Sequence, residues 1–328
     1  MITKPKLLLL SLCCLILTNC KEDKKLSVPT QGTISKELII AEFQADSAYN
    51  YIAKQLEFGF RVPGTKAHGK AKDWMVEKLK SFGGQVTVQE FKSSFMDVTN
   101  AASYNIISSY NPKAKKRISI SAHWDSRKIA EKDPDPKKKN LPILGADDGG
   151  SGVGVIIEIA RLLQAQPIGI GVDLILFDAE DQGNETGGWC LGAIYWGKNP
   201  HMANYKADFG VHLDMVGAKN AQFGQEGYSK QNAPMQVEKI WALAQSMGYN
   251  NYFQNIAKQP IEDDHVHMMK YRGYPIVNII NLSGNQEKVF GAHHHTEDDN
   301  LDIIDRNTLR AVGRVTTAVI YKFDHGSF

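Results

Sequence analysis

Five stretches of this chain end an apolar run in residues that can bind cations or move protons. Ile118-Ser-Ile-Ser-Ala122 runs into His123-Trp124-Asp125-Ser126, and Leu144-Gly-Ala146 opens Asp147-Asp148-Gly149-Gly150. The run at 172–177 ends in Asp178-Ala179-Glu180-Asp181, the run at 209–213 in Asp214, and Gly291-Ala292 in His293-His294-His295-Thr296. Carboxylates gathered at one end of a sheet repel one another, and they protonate or disperse unless a cation compensates. A divalent metal supplies that charge, and mixed His/Asp ligation favours zinc over calcium or magnesium. A catalytic zinc takes three protein ligands and keeps one position open, which this set supplies with residues to spare. Some members have a plainer reading. Asp147, just ahead of a helix, reads as an N-cap, Asp178 as a structural hydrogen-bonding residue and His293 as loop surface. Glu180-Asp181 is the informative pair: adjacent residues past a strand can diverge, one to the metal and its neighbour to the substrate as a general base.

Apolar residues at helical spacing predict helices over 35–57, 65–82, 152–163, 235–247 and 309–323. The alternation at 85–91 predicts a half-buried strand, with Gly83-Gly84 as the turn before it. Further strands are expected at 106–107, 118–121, 172–177, 209–213 and 275–282. Continuous apolar strands between amphipathic helices indicate an α/β fold, a single domain of three α/β/α layers around a mixed, mostly parallel sheet. In such sheets functional loops lie past the carboxyl ends of the strands, and here the polar clusters follow the apolar runs. With 42% hydrophobic and 23% charged residues among 328, disorder, collagen-like repeats and coiled coil are excluded as the main state. Lys+Arg 38 against Asp+Glu 36 is too balanced for a nucleic-acid-binding surface.

The leader carries an address. Lys4 and Lys6 precede an apolar run over 7–17, too short to cross a bilayer as a mature helix and ordered as a secretory signal is. Leu17-Thr18-Asn19-Cys20 resembles a bacterial lipobox with Cys20 lipidated; Asn19 keeps ordinary signal cleavage open as the alternative. The expected organisation is a lipoprotein signal over 1–19, the lipidated cysteine and a polar tether over 20–33, and a catalytic domain over 34–328. Such a protein is exported and anchored in the bacterial cell envelope, facing the periplasm or the surface, and touches membrane through its lipid alone. Cys13 and Cys14 would leave with the signal, so only Cys190 remains and the core must stabilise the domain without a disulfide.

In chain order, from about residue 35 to the end, these motifs resemble the zinc-dependent M28 peptidase family, which includes bacterial aminopeptidases and animal-type glutaminyl cyclases. The resemblance implies that Asp148, Asp181 and His295 hold zinc and that Glu180 is the general acid/base. The family's aminopeptidases bind two zincs through equivalents of His123, Asp148, Asp181, Asp214 and His295, with Asp148 bridging. Its cyclases typically hold one, through Asp148, Asp181 and His295, which leaves His123 as a second-metal or supporting residue. Ile261-Glu262-Asp263-Asp264-His265 looks like the cyclase motif, in which Asp263 joins an acidic hydrogen-bond network with Glu180 and Asp214. Trp189-Cys190-Leu191-Gly192 followed by Tyr195-Trp196 is similar to bacterial relatives of the animal-type cyclases. Trp189 is the candidate for the substrate wall and Trp196 the lesser one, because aromatic stretches are more often core.

Two departures stand out. Asp181 replaces the Glu of the animal enzymes, a shorter arm, and His294 stands where they have Trp before the zinc histidine. His294 is thus a candidate substrate contact or competing ligand, with His295 preferred because Thr296-Glu297-Asp298-Asp299 follows it. The implied reaction converts N-terminal glutamine of peptides and exported proteins to pyroglutamate with release of ammonia, using one zinc. The alternative is an aminopeptidase with one or two. Two other features read as structural: the charged segment 132–140 as a solvated insertion, and Arg61-Val62-Pro63-Gly64-Thr65, which resembles the family's Arg-Pro-Gly motif, as a turn.

Overall fold

The computed structural model describes residues 38–285 and 288–328; the signal, Cys20 and the tether expected over 1–33 lie outside the described residues. In chain order the elements are α1 (Ala45–Leu56), α2 (Lys66–Ser81), β1 (Gln85–Phe95), β2 (Val98–Tyr110), β3 (Arg117–His123), α3 (Gly150–Ala165), β4 (Gly171–Phe177), α4 (Leu191–Lys198) and β5 (Phe209–Asp214). There follow β6 (Phe223–Gln225), α5 (Gly227–Asn232), α6 (Pro234–Ser246), β7 (Phe253–Ala257), α7 (Asp264–Arg272), β8 (Ile276–Ile280) and α8 (Arg306–His325).

β4 explains the layering. All its residues are buried, and its side chains alternate between two cores. Val172, Leu174 and Leu176 join a core built with α1, α2, α3, α6 and α8, whereas Ile175 and Phe177 join one with Ala193, Trp196 and Met268 of α4 and α7. A strand apolar on both faces needs helices on both faces, and the sequence supplies them. The main sheet runs β1-β2-β4-β3-β5-β8. β3, β4, β5 and β8 are parallel, while the β1–β2 hairpin adds antiparallel strands at one edge. β6 and β7 form a separate parallel pair.

Register brings strand ends together. His123 pairs with Phe177 across β3 and β4, and Asp214 pairs with Ile280 across β5 and β8. Three of the five expected strand-end clusters, at His123, Glu180-Asp181 and Asp214, therefore do leave one edge of the sheet together. The other two expectations need correction. Residues 144–146 and 291–292 are loop, so Asp148 lies on a turn ahead of α3 and His295 on the long connection after β8. The first helix also begins at Ala45 rather than 35, because residues 38–44 run without helix to Gln44, whose N–H donates to buried Glu158 (3.0 Å). α4 and α7, which lie in segments read for chemistry, were not anticipated as helices.

The glycines after Asp148 have steric reasons. Gly149 sits at φ +82°, and a Cβ there would meet the Asp125 carbonyl oxygen at 2.2 Å and the His123 ring at 3.0 Å. At Gly152 a Cβ would meet the Leu213 carbonyl oxygen at 2.6 Å and Ala122 Cβ at 2.7 Å, so α3 can lie this close to β3 and β5 only without a side chain. Gly149→Ala is expected to lose about 1–3 kcal/mol of stability, from left-handed strain and displacement of His123. Urea unfolding measures this, and a midpoint equal to that of the parent would contradict the steric account.

Candidate metal centre

The loops that carry the acidic and imidazole groups are fixed by hydrogen bonds that leave the groups facing one another. Asp125, two residues after β3, accepts from the backbone N–H of Glu180 (3.0 Å) and of Asp181 (3.2 Å), and from Gln182 Nε2 (2.7 Å). Arg127 Nη1 donates to the Asp181 carbonyl (2.7 Å) and to its Oδ1 (3.3 Å). Asp299 accepts from the N–H groups of Asp147 (2.7 Å) and Asp148 (3.1 Å), which fixes the turn carrying Asp148. Arg61 is buried and donates to the carbonyls of Trp124, Leu144 and Gly145, joining the β3 end to the Asp148 turn. Burial lowers its guanidinium to about 10, with the charges of Asp299, Asp125 and Asp148 pulling the other way.

These holders bring Asp148, Asp181, His295, His123 and Asp214 together. His123 Nε2 is 3.0 Å from Asp148 Oδ1 and 3.3 Å from Asp214 Oδ1. His295 Nε2 is 3.0 Å from Asp181 Oδ1 and 3.7 Å from Asp148 Oδ2. Asp148 therefore stands between two groups: one atom each from His123, Asp148 and Asp214 lie within 4.8 Å of one another, as do atoms of Asp148, His294 and His295. Both His123 nitrogens, Asp181 Oδ2 and Asp214 Oδ1 are buried without a hydrogen-bond partner. Buried polar atoms are rarely left so, and a cation among these oxygen and nitrogen donors satisfies them.

The electrostatics follow from the crowding. Burial pushes Glu180 well up; Asp263, Asp264 and Asp181 add to it, and His123 opposes. Burial also raises Asp214, to about 7, with His123 close by opposing and Asp263 reinforcing. For Asp148, burial works upward but His123 at 3.0 Å and the charges of His294 and His295 outweigh it and hold the carboxyl low. Asp263 also lies low because the charge and hydrogen bond of His212 outweigh burial. Its Oδ2 accepts from Asn278 Nδ2 (2.6 Å), its Oδ1 accepts from the Asp264 N–H as the cap of α7, and His212 Nε2 lies 3.2 Å away. One ligand-type atom each of Glu180, Cys190 and Asp263 lie within 4.8 Å of one another.

Over this floor lies a cavity of about 380 Å³, lined by Asp148, Glu180, Asp181, Asp214 and Asp263 and walled by Trp189, Ile261, Phe290 and His294. Trp189 is aligned by the Arg127 guanidinium over its ring (4.7 Å) and by Nε1 donating to the Asn184 carbonyl. Trp196 is not there: it is buried in the core against Phe177 and Tyr205. Asp147 is not an N-cap, since Gly149 occupies that position. Its carboxylate accepts from the N–H groups of Gly217 and Ala218 and pairs with His293, which is accordingly drawn in rather than lying on the surface. Asp178 is the hydrogen-bonding residue expected, joined to His68 (2.8 Å) and to the Tyr104 N–H. Within the charged insertion, Lys132 lines the cavity rather than only meeting solvent.

Residues 105–320 match the Peptidase family M28 model. The chain belongs to peptidase family M28. A Zn-dependent exopeptidase from Parabacteroides distasonis superposes with a TM-score of 0.84 at 45% identity, covering 86% of this chain and 99% of that one. Porphyromonas gingivalis glutaminyl cyclase gives 0.83 at 45% identity, over 85% and 99%. A Drosophila melanogaster glutaminyl-peptide cyclotransferase is 27% identical over 273 residues, 76% of this chain and 73% of its own length.

Asp125, Asp299, Glu131 and Cys190 were not singled out from sequence. Asp125 and Asp299 each lie within a few residues of a recognised histidine, a usable signal. The Cys190 thiol donates to Glu180 Oε1 (3.3 Å), and nothing in its neighbours announces that. Asp299→Ala is expected to weaken zinc binding about 10–100-fold by freeing the Asp148 turn. Competition against a chromophoric chelator reads this directly, and unchanged affinity would remove Asp299 from its assigned place.

Proposed function

We propose that this M28 member is a zinc-dependent glutaminyl-peptide cyclotransferase, acting on N-terminal glutamine of peptides and exported proteins. The observation that carries the reading is Glu180 in the cavity floor with Asp263 beside it and the Asp148–Asp181–His295 group adjoining. The likeness to the Porphyromonas gingivalis cyclase supports it. Asp148, Asp181 and His295 would hold one zinc, which when bound polarises the glutamine γ-carbonyl and stabilises the negative charge that develops there.

The chain's own residues do the rest. Glu180 takes a proton from the substrate α-amine as that nitrogen bonds to the γ-carboxamide carbon. The bond from that carbon to the amide nitrogen then breaks, and Glu180 returns the proton to the leaving ammonia. Burial above all raises its affinity for protons, the direction that suits a carboxylate which must both accept a proton and give it up. Asp263 steadies the proton network from the α7 cap, and Asp214 shares it or attracts the α-amine. Trp189 and His294 wall the substrate. Ring closure is intramolecular, so near-attack geometry supplies much of the acceleration and no water nucleophile is needed.

A second reading has its own observation. His123, Asp148 and Asp214 form a further donor group with unpartnered buried atoms, which suits a second metal and hence an aminopeptidase. Metal-quantified protein offered a Gln-peptide and an aminopeptidase substrate side by side separates the two. The cyclase reading expects about one zinc per chain and ammonia with pyroglutamate, and release of free N-terminal residues without ring formation would overturn it. Glu180→Gln is expected to keep its zinc while turnover falls about 10²–10⁴-fold, and near-parental turnover would refute the acid/base role.

No helix of the described residues is long and apolar enough to cross a membrane. We infer export and anchoring through lipidated Cys20. Cys20→Ser should move the protein from the membrane pellet to the soluble fraction, and continued pelleting would argue against the anchor.

A further inference from the structure

Two adjacent residues on the loop after β3, Glu131 and Lys132, each meet one of two adjacent histidines. Glu131 Oε1 lies 2.5 Å from His295 Nδ1, and Lys132 Nζ lies 2.7 Å from His294 Nδ1. The histidine rings stack with centroids 3.7 Å apart, and Phe290 stacks on His294 at 4.3 Å. The Lys132 backbone N–H donates to the His295 carbonyl (3.2 Å), so the two loops are tied where their side chains meet.

The two contacts impose opposite proton positions. A carboxylate can only accept, so Glu131 takes the Nδ1–H of His295 and leaves Nε2 with a free lone pair. That atom is the one 3.0 Å from Asp181 and 3.7 Å from Asp148. An ammonium can only donate, so Lys132 occupies the Nδ1 lone pair of His294, and the neutral ring carries its proton on Nε2. A ring nitrogen bearing a proton cannot ligate a metal. His294 is near enough to Asp148 to form a donor group with it, yet its Nε2 lies 3.9 Å from Asp148 Oδ2 and brings a hydrogen rather than a lone pair.

We infer that Glu131 and Lys132 sort the histidine pair: His295 is prepared as the metal ligand, and His294 presents an Nε2–H donor to a carbonyl oxygen of the peptide substrate. The substrate half rests on the cyclase reading; the sorting of the histidines does not. Glu131 and Lys132 are positioning residues, acting through the rings they orient. Lys132, Phe290 and His294 line both the cavity and an adjoining pocket, so the donor stands where the two meet.

The test uses the zinc-loaded protein. Histidine 15N NMR should report Nδ1 protonated and Nε2 metal-bound for His295, with the reverse proton position and no metal for His294. Glu131→Ala should weaken zinc binding about 10–100-fold, whereas Lys132→Met and His294→Phe should leave it within about twofold. Those two variants should raise KM for a Gln-peptide about three- to tenfold with a smaller change in kcat, and Lys132→Arg, which keeps a donor, should restore KM. A His294 ring protonated on Nδ1, or zinc lost as readily from Lys132→Met as from Glu131→Ala, would overturn the assignment. If the parent protein forms no pyroglutamate, the cyclase reading fails, and the NMR and zinc measurements still decide the sorting.

Discussion

The governing constraint is like charge in a small dry volume. Asp148, Glu180, Asp181, Asp214, Asp263 and Asp264 are all buried near the carboxyl ends of the strands, where burial alone raises a carboxyl's proton affinity. Such a cluster is stable only if each member has a separate remedy. Asp263 has His212, Asn278 and a helix cap, and Asp148 has His123 and the Asp299-fixed turn. Glu180, Asp181, Asp214 and Asp264 are instead pushed toward the protonated form, burial first. The unequal treatment of neighbouring carboxylates puts low and raised proton affinities side by side in one site.

The supporting frame serves that separation. Asp125 holds two consecutive N–H groups with its two carboxylate oxygens, so the backbone at 180–181 is pinned and the side chains must diverge. The left-handed conformation of Ala179 (φ 53°) just before them and of Cys190 (φ 54°) opposite turns the chain sharply enough for the thiol to reach Glu180. His295 is itself at φ 56°, a conformation that a non-glycine residue keeps only when its surroundings insist on it. Strain, staples and charge therefore converge on the same few residues.

Much of this was legible in the chain because acidic residues after fully apolar strands are costly to bury and thus informative. The parallel core could be read from 172–177, whose lack of alternation required cover on both faces. Legibility failed where meaning depends on distant partners. Glu131 and His295 are 164 residues apart, and nothing local marks the glutamate as the residue that sets an imidazole's proton. Asp147, with the look of an N-cap, and His293, with the look of loop surface, are opaque for the same reason: their partners lie 70 and 146 residues away. α4 and α7 were hidden because short helices packed on each other through Gly197 and Tyr271 carry little amphipathic signal.

The β1 edge of the main sheet has a bearing on how peptides can approach. Its outward positions include Thr87, Glu90 and Lys92, with Glu90 and Lys92 paired along the strand at 3.8 Å. A passing chain that tried to extend the sheet there would meet this one charged pair next to exposed Val88, and the charged half discourages strand addition. That short charged stretch is the part of the margin least suited to carry a further strand, and it lies on the flank of the sheet rather than at the strand tips where the cavity opens.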